Sequence, residues 1–526
     1  PARKGHAMNK DVAPLDKPKR LGRSKRNKER TAQPAPPQAF GALDNPFPPL
    51  NGFDDNIIEE MHQSALKLLE HEGIKVLHPE ARRLYQSAGA RVDESSEMVW
   101  IGRDIILSAL KTAPKSFTLR GGNRARDVTL ELGKLVFQPG AAAPYATDLE
   151  RGRRIGSEQD FRELVKLTQY FSCFHMMPPL VEPQDVTPEH RHYAIMDAML
   201  TETDKVPFIY SRGSQQIEDG FEMIRLFRDI SMEAFHADPW CYTIINTNSP
   251  RILDLPMAQG LIDFARARQM SIVTPFTLMG AMAPITVAGA MTLSHAEAMA
   301  AIALVQITQP GAPVCYGTFT SNVDMRSGAP AFGTPEHFRA SLVAGQLARK
   351  TGLPWRCASG SAANINDIQA ANETQFGLWG CLMAGATIVI HSAGWLEGGL
   401  ALSYEKLITD SEVLKMVEHM CKPLSISTDD MGYDAIAAMP PGGHFFGCDH
   451  TMARYQTEFY QHVVADLSNY GTWKDNGSID TNHRATKIWK DILQQPNTLS
   501  DNDVPIAKLR QFITTRMHEG GAPPVS

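Results

Sequence analysis

The sequence predicts a (β/α)8 barrel with a small N-terminal α/β region before it and C-terminal helices after it. Two observations support this fold and a third weighs against its main competitor. Eight short apolar runs recur between Leu135 and His391, and seven helix-length segments separate them. Strands alternating with helices imply parallel βαβ units, and eight such units can close into a barrel. The competitor is a doubly wound open sheet. No GxGxxG follows the first run, and no GxxxxGK[ST] occurs in the chain. The phosphate-cradling turns of nucleotide-binding open sheets therefore have no counterpart here.

In chain order, residues 1–40 read as a disordered basic arm and a linker that includes Pro34–Pro37. From Asp54 to Glu72 apolar residues recur at three and four, and Gly73 stops the pattern, which predicts a helix. Pro79–Ala88 and Ile105–Thr112 read as further helices, with short strands at Thr118–Leu119 and Val128–Leu130. Together they make an α/β region over 41–132. The barrel takes 133–402. Its strand runs are Leu135–Gln138, Phe174–Pro178, Pro207–Ser211, Cys241–Asn246, Ser271–Phe276, Pro313–Thr318, Pro354–Ser359 and Thr387–His391. Its helices are Glu158–Tyr170, Pro188–Glu202, Ile217–Ser231, Pro256–Arg268, Thr286–Thr308, Pro335–Lys350 and Ile368–Ala384. Helices at Ser411–Cys421, His450–Leu467 and Thr486–Leu493 make a C-terminal extension over 403–519. The Gly/Pro-rich tail 520–526 reads as frayed.

With 52 Lys/Arg against 58 Asp/Glu the chain carries −6, and its 43% hydrophobic content suits a globular protein. The charge is uneven. The first 30 residues hold eleven basic residues and three acids, a net +8, which leaves −14 on the rest. No apolar run follows this arm, so it does not read as a secretory signal. No aromatics interleave with its charges, so a solvated extension fits better than nucleic-acid contact. Seven cysteines without a CxxC pair argue against a disulfide framework or a cysteine-rich zinc site, and point to a reducing cytoplasm. Gly280–Val305 resembles a membrane span, but His295 and Glu297 sit inside it. A carboxylate is costly in lipid, so the stretch reads as a buried helix and no membrane span is expected.

In such a barrel chemistry sits at the C-terminal ends of the strands. The tips so selected are rich in Gly, Ser, Thr, Asn and aromatics. They lack the paired carboxylates of a glycosidase, and no run carries the Lys of a Schiff-base aldolase. Ser359–Ser361 could open a phosphate site. Glu297 and His391 stand out as catalytic candidates. A carboxylate in apolar surroundings needs a partner or a cationic ligand; a structural Glu297 bonded to backbone or to His295 is equally compatible. His391 ends the last run, either as a strand-tip acid–base group or as a core histidine. Together the two could serve a lyase as acid and base. No metal centre is expected. His190-Arg-His192 falls on a helix, where i and i+2 diverge. Gly442–His450 carries no carboxylate–histidine motif and reads as a loop over the mouth, with Phe445 or Phe446 as a lid.

Six blocks together resemble the trimethylamine methyltransferase family over about residues 50–495. They are Gln138–Gly156, Asn246–Pro250, Ser294-His-Ala-Glu297, Gly360–Glu373, His391-Ser-Ala-Gly-Trp-Leu-Glu-Gly-Gly399 and Gly442-Gly-His-Phe-Phe-Gly-Cys-Asp-His-Thr451. The resemblance implies a barrel that moves a methyl group from a methylated amine to the Co(I) of a corrinoid (cobalamin) on a separate protein, with no cofactor bound in this chain. Founding members carry pyrrolysine near the end of strand seven. Here Gly360 and Ser361 stand nearest that position, which implies the non-pyrrolysine branch, beside enzymes acting on glycine betaine and similar quaternary amines.

Such a substrate asks for positioning more than for proton transfer. Aromatic faces hold quaternary ammonium groups, with Tyr145, Phe276, Tyr316 and Trp395 as candidates and Glu297 as a negative charge near the nitrogen. A betaine carboxylate would take Asn246, Asn248, Arg212 or a protonated His391. By resemblance to the betaine enzymes, Tyr145, Asn246, Glu297 and His391 carry over best. The expected partners are a corrinoid-binding protein and a small quaternary amine, without membrane or nucleic acid, in a homo-oligomer. A non-catalytic betaine-binding protein on the same scaffold is the remaining alternative.

Overall fold

Eight parallel strands appear where the eight apolar runs predict them. The computed structural model describes residues 40–496, 499 and 503–525; all of the expected arm and linker except Phe40 lies outside them. The strands are β1 (Lys134–Phe137), β2 (Met176–Met177), β3 (Val206–Pro207), β4 (Tyr242–Ile245), β5 (Met270–Val273), β6 (Val314–Gly317), β7 (Trp355–Ala358) and β8 (Ile388–Ile390). Between them run α1 (Glu158–Tyr170), α2 (Pro188–Thr201), α3 (Ser214–Arg228), α4 (Leu255–Arg266), α5 (Val287–Thr308), α6 (Pro335–Thr351) and α7 (Ile368–Ala384), and α8 (Tyr404–Met420) follows β8.

Local chemistry sets these bounds. Ser157 and Asp160 form a reciprocal capping box at the start of α1. Helices α6 and α7 end on Gly352 and Gly385, at φ +70° and +76°, the left-handed cap that glycine adopts without a Cβ penalty.

Six strands lie in one sheet in the order β1-β8-β7-β6-β5-β4, with Leu43–Asp44 antiparallel on the outer edge of β1. Strands β2 and β3 form a separate parallel pair. Backbone hydrogen bonds link that pair to both ends of the sheet. The His175 N–H donates to the Phe137 carbonyl (2.9 Å), and the Ile209 N–H donates to the Tyr242 carbonyl (3.0 Å). A parallel bridge also joins Phe208 to Tyr242.

Helix α5 has no distinct polar face and is mostly buried, its Ser294, His295, Glu297 and Gln306 included. It packs against the N-terminal helices Asp55–His71 and Arg103–Thr112, and against β5 and β6. Among the described residues it is the one helix long and apolar enough to cross a membrane, and the fold covers most of it.

Two expectations fail in the C-terminal extension. His450–Leu467 forms only a short helix, Asp449–Arg454. Further on, the N–H groups of Val463, Val464 and Ala465 donate to the Glu412 carboxylate at 2.9, 2.6 and 3.1 Å, so they are withdrawn from a helical ladder. Residues 520–525 are docked rather than frayed. The Ala522 N–H donates to the Glu189 carbonyl and the Val525 N–H to the Arg212 carbonyl, each at 2.9 Å. A further helix, Asp503–His518, precedes them and packs on α2 and α3.

Candidate active site

A cavity of about 460 Å³ opens at the C-terminal ends of the strands, and each of the eight strands or its following loop contributes to the wall. One side is aromatic. His391 stacks on Trp395 with ring centroids 4.4 Å apart and planes 12° from parallel. Phe319 sits 5.5 Å from His391 and 5.0 Å from Phe276. His391 turns the chain out of β8 at φ +53°, a left-handed conformation uncommon outside glycine and typical of residues held for a purpose. Burial, followed by the nearby Arg356 charge, holds its pKa well below the ordinary histidine value. The imidazole is therefore neutral at neutral pH, and the protonated His391 expected for a carboxylate is corrected.

The cavity wall also carries a charge that lies within a strand rather than at its tip. Arg356, in β7, is 2% exposed. Its Nη1 donates to the Thr318 carbonyl at 2.9 Å, and its Nε finds no hydrogen-bond partner among the described residues. Among the described residues no carboxylate lies within ion-pair distance of it. Burial lowers its pKa to about 10, so it stays cationic. His391 Nδ1 and Trp395 Nε1 are likewise buried without a hydrogen-bond partner among the described residues. An unpaired buried guanidinium is costly, and a carboxylate is the group whose fork it matches. One signal could have found it: Arg356 is the only Lys, Arg, Asp or Glu in the eight predicted runs.

Six of the nine expected site residues meet here: Arg212, Asn246, Asn248, Phe276, His391 and Trp395 all line the cavity. Glu297, Tyr145 and Tyr316 do not. The Glu297 carboxylate accepts from Thr247 Oγ1 (2.8 Å), Ser249 Oγ (2.7 Å) and the Arg251 N–H (2.7 Å). Burial raises its pKa against these bonds. It therefore fixes the loop that carries Asn246 and Asn248, and no acid–base pair with His391 is assembled in the cavity. The Tyr316 hydroxyl is buried against His295 Nδ1 at 3.0 Å, and His295 Nε2 lies 2.9 Å from His62 Nδ1. Tyr145 carries the Arg153 guanidinium 3.6 Å over its ring. Arg153 in turn grips Glu397 with two nitrogens at 2.8 and 2.9 Å, next to the cavity-lining Gly398 and Gly399.

The phosphate option at Ser359–Ser361 is also filled from within. The Ser361 hydroxyl and the Ala362 and Ala363 N–H groups all donate to Glu373. Phe445 and Phe446 do not line the cavity, and Phe446 is 85% exposed, so neither is a lid over it.

The sequence matches the trimethylamine methyltransferase (MTTB) family over residues 19–521. The chain belongs to that family. A curated glycine betaine methyltransferase of Desulfitobacterium hafniense (strain Y51) is 32% identical over 482 residues, covering 90% of this chain and 99% of that one. The trimethylamine methyltransferase MttB of Desulfitobacterium hafniense (strain DSM 10664 / DCB-2) is 28% identical, covering 85% and 90%. MttB of Methanosarcina thermophila is 26% identical, covering 85% and 96%. The crystal structure of the Methanosarcina barkeri monomethylamine methyltransferase (MtmB) aligns with a TM-score of 0.44 at 11% identity, covering 87% and 99%. This MTTB-family protein is a methyltransferase. At the end of β7 its Gly360 stands at φ +115°, and any side chain there would run into the Trp395 ring. Trp395 thus occupies the space into which a side chain at position 360 would project.

Proposed function

We propose that this methyltransferase takes its methyl group from a quaternary amine bearing a carboxylate, of the glycine betaine class, and passes it to the Co(I) of a corrinoid on a separate protein. We further propose that the eight strands close into a (β/α)8 barrel over residues 133–402; the hydrogen bonds that join β2 and β3 to both ends of the sheet support this.

The carrying observation is the buried, unpaired Arg356 in the same cavity as the His391–Trp395–Phe319 aromatic wall. A zwitterion satisfies both features. Its carboxylate answers the guanidinium, and its onium group faces the rings and a neutral imidazole. A bare cation would leave Arg356 without a counter-charge. The glycine betaine methyltransferase relative and the closed-off position 360 support the same reading.

Chemically, one N–CH3 bond breaks as the cobalt-centred electron pair takes the methyl. The bond pair returns to nitrogen, so the amine leaves neutral and needs no proton. The protein's part is to orient one methyl outward and hold the rest still.

A substrate panel tests the proposal. Purified protein and Co(I) cobalamin are mixed with glycine betaine, trimethylamine or tetramethylammonium, and the absorbance of methylcobalamin is followed. Glycine betaine should give the fastest conversion. Equal or faster conversion with the two carboxylate-free amines would overturn it.

A further inference from the structure

We propose that Arg153 and Glu397 are positioning residues for the cavity: their ion pair sets where the Trp395 indole stands against His391. The proposal takes the cavity as the site of methyl transfer and holds whichever amine it accepts.

Trp395 has no polar anchor of its own. Its Nε1 finds no hydrogen-bond partner among the described residues, so backbone and packing place the ring. Strand Trp395–Leu396 pairs antiparallel with Ala401–Leu402, and Glu397–Gly399 makes the turn between them. That turn is left-handed throughout, at φ +54°, +63° and +106°. Gly398 and Gly399 adopt this conformation freely, whereas Glu397 adopts it at a cost. A Cβ at Gly399 would run into the indole, as one at Gly360 would at other atoms of the same ring. The two glycine backbones therefore bear on the ring, while His391 stacks on it with centroids 4.4 Å apart. A shift of the turn passes to the indole and so to the cavity, which Trp395, Gly398 and Gly399 all line.

Arg153 holds that turn. Its Nε and Nη2 donate to the Glu397 carboxylate at 2.8 and 2.9 Å, a two-point fork that a lysine could not reproduce. Its guanidinium carbon lies 3.6 Å from the centre of the Tyr145 ring, a cation–π seat. Tyr145–Thr147 pairs parallel with Ala401–Ser403 and antiparallel with Arg154–Ile155. The seat, the arginine and the turn thus hang from one small sheet. Most exposed ion pairs contribute little, and a bidentate pair in good geometry is the exception. The Arg153 side chain is 45% exposed and that of Glu397 13%, so dissolved salt reaches the pair. Tyr145, which does not line the cavity, gains a role as the seat.

The test reads Trp395 itself. The full chain is labelled with 5-fluorotryptophan, and the Trp395 fluorine resonance is identified by its loss in Trp395→Phe. Arg153→Gln and Glu397→Gln should each shift or broaden that line and leave the other tryptophan lines in place. The double variant should match the singles, because either substitution removes the whole pair. Salt at about 1 M, where screening acts over ~3 Å, should move the wild-type line toward the variants and leave theirs unmoved. Kinetics with an amine that the wild type demethylates supply the second readout. KM should rise about 5-fold, the upper end for an exposed pair, with kcat within about 2-fold, the mark of lost substrate binding. A Trp395 line unchanged in both variants, a double variant whose shift is the sum of the singles, or an unchanged KM would overturn the proposal. Absence of transfer from glycine betaine would count against the amine assignment alone, and the fluorine spectra would still decide this one.

Discussion

Arg356 and His391 share one cavity wall and report on each other. Because the guanidinium is buried and unpaired, Arg356→Gln should separate binding from folding. The KM for glycine betaine should rise about 100-fold, the equivalent of ~3 kcal/mol for a buried charged hydrogen bond, with kcat changed far less. The melting temperature without substrate should hold or rise, because an uncompensated charge is removed. Steady-state kinetics and thermal melts check both signs. His391 is neutral because its folded pKa lies well below the free value. The rate of methyl transfer should therefore show no step near the ordinary histidine pKa, about 6.5. A step there that disappears in His391→Asn would contradict this. Glu297 shows where residue-level reading stops. Its apolar neighbours in sequence flag a buried carboxylate, but its partners Thr247, Ser249 and Arg251 come from another loop. The sequence reading offered both a catalytic and a structural Glu297, and only the fold shows the carboxylate taken up by that loop.

At the level of elements, local codes were readable and tertiary ones were not. Helices α1 and α7 begin and end where the sequence predicts, because a capping box and a terminal glycine sit in the sequence itself. The short strands beyond the eight, such as Tyr145–Thr147 paired with Ala401–Ser403 and Phe276–Met279 paired with Phe319–Val323, join residues far apart in sequence and were not predicted. Lys205 is a similar case. Nothing marks it in sequence, yet its Nζ donates to the carbonyls of Thr168, Phe171 and Phe174 at 2.8, 2.6 and 2.7 Å. It ties the end of α1 and the approach to β2 onto β3. Lys205→Met would leave buried carbonyls unsatisfied and should cost about 3 kcal/mol of stability, read as a lower urea midpoint at an unchanged slope.

For the molecule as a whole, parallel strands alternating with helices were legible because each βα unit repeats its own pattern; the outward-facing stretch 422–463 was not, because its exposure appears only in three dimensions. Buried histidines also set its response to acid. Burial holds His175, His192 and His337 at about 4. The unfolded chain takes up protons below about 6.5 while the folded chain does not until about 4. The stability these groups contribute is thus full above about 6.5 and is lost as pH falls toward 4, at about 1.4 kcal/mol per pH unit for each. Melting temperatures should fall steadily as pH is lowered from neutrality; a flat profile would contradict that placement. The central claim, methyl transfer from a betaine to cobalt, is tested most directly with glycine betaine deuterated in its N-methyl groups, supplied with Co(I) cobalamin and this protein. Mass spectrometry should find trideuteromethyl-cobalamin and dimethylglycine in equal amounts. Dimethylglycine without label on cobalt, or untouched betaine under conditions where trimethylamine is demethylated, would contradict it.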